Sequence, residues 1–409
     1  MNTSGDPNPH QCSPQGSGEV LTLHFADYVR VAGELLQGQV DIDLAKAAHD
    51  KIENVRVKLR EGASRRQRDR DSFQTQTVQL VREDQTIWDQ FNAPPTGAQV
   101  VSCPFQLRLP PNLPPSFHYH QFSRSVAITY SIEVVGSRHG LLHANRRVRK
   151  VISVVPAASE WELGAASALR QGWAGPWKPF SNNKDVRHGI LIGEHSQVKM
   201  ELTVPDLPSY PMGLGIPFKL AVLTHTKPVH EGDLEHKHGK LFPPPPESSS
   251  KVEARIYRRG RMHVRNKSED VDEHYDLQGS LGDEAGHAAV QTTFDDPVFA
   301  PTPEHGDKGV WTRGVRFEGN LFFPYTPTFS AETVEWQYTL RLKVDFPGLG
   351  NHLELEVPIH IDSGCGFPPP FQGGWQPNAM YTLATGPPPM IKLPSGYWNG
   401  DDHDWDEDN

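Results

Sequence analysis

Cysteine is scarce in this chain of 409 residues: Cys12, Cys103 and Cys365 are the whole supply. They are odd in number and far apart, so neither a disulfide framework nor a Cys-His zinc site is expected. No run approaches 18 consecutive apolar residues, too little for a membrane-spanning helix. Residues Met1 to Gly18 are polar and include Pro7, Pro9 and Pro14, without the basic and apolar regions of a secretory signal. The sequons at Asn2 and Asn266 therefore carry little weight, and a cytoplasmic protein is expected. A basic excess is missing too. The formal net charge is −10, with six carboxylates in Asp401–Asn409 and so about −4 on the rest. Nucleic-acid binders show the opposite sign.

The signatures of catalysis are equally absent. There is no Gly-x-Ser-x-Gly elbow, no Walker loop and no Gly-x-Gly-x-x-Gly after a strand. His230-Glu231 and His236 place their histidines six apart, where a zinc-protease helix needs four. His225, His230, His236 and His238 could share a divalent metal if their loop wrapped one, but a solvated polar loop is the plainer account. No catalytic residue, metal or cofactor is expected.

What the chain has is turns and alternation. Its 37 Pro and 35 Gly argue against a helical bundle. In Ile52 to Arg60, Val55, Val57 and Leu59 point one way and Arg56, Lys58 and Arg60 the other. Leu21–Phe25, Val29–Asp43, Phe73–Val81, Gln99–Leu109, Val126–Val135 and Arg147–Val155 read as further strands, with a short helix or loop at Asp43–Lys51. Glu61 to Asp71 reads as a hairpin tip. About seven strands in some 140 residues suit an antiparallel sandwich. A second strand-rich region holds Gln197–Val204, Ile216–Thr224, Val252–Arg258, Val310–Phe317, Val334–Val344 and Leu353–Ile361. The polar stretches 227–250 and 266–304 are longer than ordinary loops. The expected organisation is a disordered N-terminus over 1–17, a sandwich over 18–158, a linker over 159–183, a second sandwich over 184–363 and a disordered Pro/Gly-rich acidic tail over 364–409.

Two basic groups are candidates for acidic or phosphorylated partners, because guanidinium forks bind carboxylate and phosphate bidentately. They are Arg65, Arg66, Arg68 and Arg70 at the hairpin tip, and Arg146 and Arg147 opening a strand. A solvated hairpin tip and a solvated face are the alternatives. Arg149 and Lys150 extend the second group, which could also meet anionic lipid. Pro243–Pro246 forms a polyproline segment, as fit for a spacer as for a proline-reading module. Trp161, Trp173 and Trp177 suit packing in the connector, with stacking on sugars as the rival use.

These patterns resemble a known family. Gly33-Glu34-Leu35 with Gly38-Gln39-Val40, then Cys103-Pro104-Phe105, Leu113-Pro114-Pro115-Ser116-Phe117 and the Ile128–Val134 strand, are similar to the arrestin N-terminal domain. Gln337–Val344 and Leu353–Ile359 look like closing strands of the arrestin C-terminal domain, in the manner of fungal α-arrestins. The resemblance implies an all-β fold of two consecutive immunoglobulin-like sandwiches. It implies a non-enzymatic adaptor that binds cytoplasmic regions of membrane transporters or receptors and recruits a WW-domain HECT ubiquitin ligase through Pro-Tyr motifs, with recruitment to plasma membrane or endosomes. Pro-Pro-x-Tyr is lacking here. The nearest variant is Leu207-Pro208-Ser209-Tyr210, so Leu207, Pro208 and Tyr210 are the candidate ligase contacts. An endosomal sorting or coat scaffold without ligase recruitment is the alternative.

Overall fold

Alternating burial places the strands. In β1 (Leu21–His24), Leu21 and Leu23 are inside and Thr22 and His24 are half exposed. The computed structural model describes residues 20–367, apart from 70–71, 92–97, 122–123, 139–143, 189–194, 238–240, 265–266, 278–280, 282–288, 303–306 and 332–333. For 61–69, 72–82, 120–121, 124–125, 263–264 and 267–269 it describes the backbone alone. The described chain forms two units, residues 20–159 with 365–367, and residues 160–364.

In the first unit β1 is followed by β2 (Arg30–Val31), β3 (Leu35–Asp43), α1 (Leu44–His49), β4 (Ile52–Asp69) and β5 (Ser72–Asp89). Then come β6 (Val100–Arg108), β7 (Phe117–Gln121), β8 (Arg124–Arg138), β9 (Arg146–Ile152) and β10 (Val154–Val155). One sheet runs β1-β3-β6; the other runs β5-β4-β8, with β7 and β9 both paired to β8. Asp43 caps α1 by accepting from the Lys46 amide at 3.0 Å.

The second unit opens with α2 (Glu160–Gln171), β11 (Trp177–Arg187), β12 (His195–Pro205), β13 (Tyr210–Pro211), β14 (Gly215–His225), β15 (Val229–His230) and α3 (Asp233–His236). It closes with β16 (Val252–Val264), β17 (Lys267–Asp276), β18 (Gln291–Phe294), β19 (Val298–Pro301), β20 (Lys308–Phe322), β21 (Phe329–Ser330), β22 (Val334–Asp345), β23 (His352–Ile359) and β24 (Ile361–Asp362). One sheet runs β11-β12-β14-β20, with β15, β18 and β19 also on β20; the other runs β17-β16-β22, with β21 and β23 on β22. The protein is all-β.

One plan is used twice. In the first unit β2 pairs in parallel with β10: the Arg30 amide donates to Ser153 O at 2.7 Å and the Ala32 amide to Val155 O at 2.8 Å. In the second β13 pairs in parallel with β24, through Tyr210 to His360 O at 2.8 Å and Met212 to Asp362 O at 2.9 Å. Each parallel tie runs into a tight turn, closed by Glu34 to Val31 O or Leu214 to Pro211 O. Gly33 (φ +89°) and Gly213 (φ +70°) sit at the left-handed position of these turns, where a side chain would be strained. Tyr130 on β8 donates to Pro114 O at 2.7 Å, and Tyr338 on β22 donates to Thr326 O at 2.8 Å. By this measure Arg30 and Tyr210 hold equivalent positions.

Arg30 fills its position with charge. It is 2 % exposed and bonds Glu34 at 2.9 Å, with its guanidinium over the Phe25 and Tyr28 rings at 4.3 and 3.6 Å. Glu34 also accepts from Tyr28 Oη at 2.7 Å and the Val31 amide at 3.0 Å. In the second unit, Asn351 occupies the end of the β11 edge as a stand-in for a strand. Its Oδ1 accepts from the Arg187 amide and its Nδ2 donates to Arg187 O.

The segment 159–183, expected as a linker, carries α2 and most of β11. Ala165, Ala166 and Leu169 turn one face of α2 inward, a stripe too small in side-chain volume to stand out in sequence. The expectations for 1–17 and for the tail beyond 367 fall outside the described residues.

Candidate anion-binding face

In the first unit the pairing register places β4 and β9 on either side of β8. Lys58 stands opposite Glu133, which stands opposite Arg149; Arg56, Val135 and Arg147 form the next row. The inward residues of these strands, Val55, Val57, Leu59, Ile132 and Val134, are almost fully buried, which fixes the other side chains on the opposite face. That face gathers Arg56, Lys58, Arg60, Arg147 and Arg149 around Glu133 and Asp84. Arg147 reaches Glu133 at 3.2 Å and Arg60 reaches it at 3.8 Å. Arg56 and Lys58 approach Asp84 at 3.5 and 4.0 Å, and Arg149 donates to Ser131 Oγ at 3.1 Å.

Burial is the leading influence on the electrostatics of Arg149. Burial pushes the Arg149 pKa below the usual guanidinium value; Glu133 works against that shift, and the neighbouring Arg60 adds to it. The long side chains lie over one another, so Lys58 is only 5 % exposed and Glu133 9 %. A dense, partly desolvated array of guanidinium groups can hold a carboxylate or phosphate through several charge-assisted hydrogen bonds.

The residues anticipated from sequence are divided by the fold. Arg147 belongs to this face. Arg146 does not: strand alternation sends it the other way, to Asp50 at 2.6 Å, and that bond, outweighing burial, holds the Asp50 carboxyl below the usual range. Arg65, Arg66 and Arg68 lie on β4 opposite Gln76, Thr75 and Phe73 of β5, and only their backbone is described. Arg70 lies outside the described residues. Arg149, read from sequence as an extension of the second basic group, belongs to this face too, while Arg56, Lys58, Arg60 and Glu133 were missed as a site. The alternation Arg56-Val57-Lys58-Leu59-Arg60 was the available signal, but only the β4-β8-β9 register makes it a cluster.

The Leu207–Tyr210 element lies in the second unit as part of its parallel tie. Leu207 and Tyr210 are 7 % and 5 % exposed, and Pro208 alone of the three candidate contacts faces solvent. Tyr210 Oη donates to Pro205 O at 3.0 Å, and burial pushes the phenol well above its usual pKa. Ser209 donates to Glu162 at 3.4 Å. Burial also raises the Asp362 carboxyl on β24, against a hydrogen bond from Ser209. The tie, rather than a flexible display, determines this geometry.

Residues 22–159 match the family model of the arrestin (or S-antigen) N-terminal domain. The chain carries an arrestin-like N-terminal domain. Among curated proteins none matches it. Arrestin family proteins are generally non-enzymatic adaptors with membrane-protein partners, and the basic face lies wholly within the matched domain. Among its described residues, no helix is long and apolar enough to cross a membrane.

Proposed function

We propose that the protein is an adaptor for cytoplasmic regions of membrane transporters or receptors, that it takes their acidic or phosphorylated segments on the β4-β8-β9 face, and that it links them to a ubiquitin ligase and endocytic trafficking at the plasma membrane or endosomes. The observation that carries this reading is the gathering of Arg56, Lys58, Arg60, Arg147 and Arg149 around Glu133 and Asp84 within the arrestin N-terminal domain. Arg56→Ala/Arg147→Ala, two of the more exposed cations, should weaken binding of a labelled phosphopeptide about tenfold at low salt, on the scale of one to two charge-assisted hydrogen bonds. Glu133→Gln should act oppositely in the same titration, because it removes the built-in competitor. Unchanged affinity in both variants would refute the assignment of the face.

A second reading, the endosomal sorting or coat scaffold, draws support from the burial of Tyr210. A WW groove takes a polyproline segment with its Tyr presented, and here Tyr210 is inside the tie. Pro208→Ala leaves the tie intact and alters an exposed ring. Under the ligase reading it should cut co-purification of a WW-domain ligase severalfold. Ligase recovery equal to wild type would exclude Leu207–Tyr210 as the contact, and recovery of a fixed multi-subunit complex without ligase would favour the scaffold.

A further inference from the structure

β17 is the terminal strand of its sheet, and among the described residues no other strand pairs with its far side. Its ladder with β16 runs from Val264↔Lys267 to Arg255↔Asp276 with no register shift. Among the devices that blunt such an edge, β17 has neither a bulge nor a proline. It has a column of carboxylates instead. Asp270, Asp272 and Asp276 share one face and are bonded to Arg261, Arg259 and Arg255 at 3.0 Å each, yet they remain 58, 64 and 84 % exposed. On the other face Tyr275 is 40 % exposed and lies beside the Arg258–Glu273 pair.

A strand added at this edge would lie about 4.8 Å from β17 and about twice that from β16. It would meet the exposed carboxylates of these aspartates first, because the guanidinium groups bonded to them reach over from the β16 side. An acidic segment, or β17 of a second copy, is therefore repelled. A segment with Lys or Arg at alternate positions continues the pattern of basic, acidic and basic columns across neighbouring strands. Its intervening residues would fall on the Tyr275 side, where an apolar side chain can cover the ring.

We infer that the free edge of β17 is a docking site for an extended partner segment with alternating Lys or Arg, which joins the sheet as a further strand. The inference rests on the adaptor reading only for its source, since the cytoplasmic flanks of membrane spans are rich in Lys and Arg.

A fluorescein-labelled ten-residue peptide alternating Lys with Val and Thr, titrated by anisotropy against the full chain, tests it. Saturable binding is expected, about tenfold weaker for Asp270→Asn/Asp272→Asn. Binding should be lost when alternate peptide amides are N-methylated, which removes strand pairing and keeps the charge. Amide exchange over 270–276 should slow in the complex. The proposal is overturned if the unmodified peptide does not bind, if the N-methylated peptide binds as well, or if the Asn variant is indistinguishable from wild type. The N-methyl comparison uses the unaltered protein, so it does not depend on how the variant folds. Failure here leaves the phosphopeptide test standing, because that probe has the opposite charge and meets the other unit.

Discussion

Glu34→Ala should destabilise the first unit by roughly 3–5 kcal/mol, the cost of leaving a buried guanidinium without its counter-ion. Arg30 has no solvent to turn to, at 2 % exposure, and its other polar contact is Ala26 O at 2.8 Å. The Glu34 carboxylate also serves Tyr28 and the Val31 amide, so one substitution orphans three donors. Urea unfolding followed by amide exchange at Arg30 and Ala32, which tie β2 to β10, reads the loss where it occurs. Arg30→Met/Glu34→Leu should recover much of it, since an apolar pair avoids the unpaired charge. Recovery should stop short of wild type by about 1–3 kcal/mol, because the Val31 amide still lacks its acceptor. A wild-type-like midpoint for Glu34→Ala would show that the pair contributes nothing.

The other large effect is expected where β16 pairs with β22. Gly260 lies opposite Trp336, whose indole is fully buried. A β-carbon at Gly260 would fall 2.0 Å from Cζ3 and 2.5 Å from Cε3 of that ring. The obstacle is a rigid ring held in the core, so the strand must move or the indole must leave. Gly260→Ala should therefore cost about 3 kcal/mol or more, at the upper end of overpacking effects. Trp336→Ala should cost about 3–5 kcal/mol through the cavity it leaves. The two are coupled: Gly260→Ala/Trp336→Leu should be more stable than the sum of the single losses allows, measured as a double-mutant cycle in urea. Strict additivity would mean that the two side chains do not compete for the same space.

Local pattern revealed most of the first unit. Alternation in Ile52–Arg60 and the cap at Asp43 have direct causes in single strands and turns, and β4 and α1 follow them. The hairpin is longer than the sequence suggested, because β4 runs on to Asp69 and β5 begins at Ser72. The second unit was harder to read. Its polar stretch over 266–304 contains β17, β18 and β19. In β17 only Val271 is buried as an apolar residue, and the carboxylates on both faces are matched by arginines contributed from β16. A strand whose partners are charged has no apolar period to detect. The basic face is hidden in sequence for a related reason: its members come from β4 and β9, which register alone aligns. The Leu-Pro-Ser-Tyr element illustrates the limit of motif reading, since its aromatic residue is used by the parallel tie.

The two parallel ties also order events during synthesis. β2 waits for Val154 and Val155, after which the first unit has all its strands while none of β11–β24 has been made. The 205 residues from Glu160 to Gly364 then take about 10–40 s to emerge at typical translation rates. Throughout that interval the N-terminal sandwich can already be closed on the ribosome. β13 must wait for β24, almost the last of its unit to appear, so Tyr210 is open in the nascent chain before it is enclosed in the finished one.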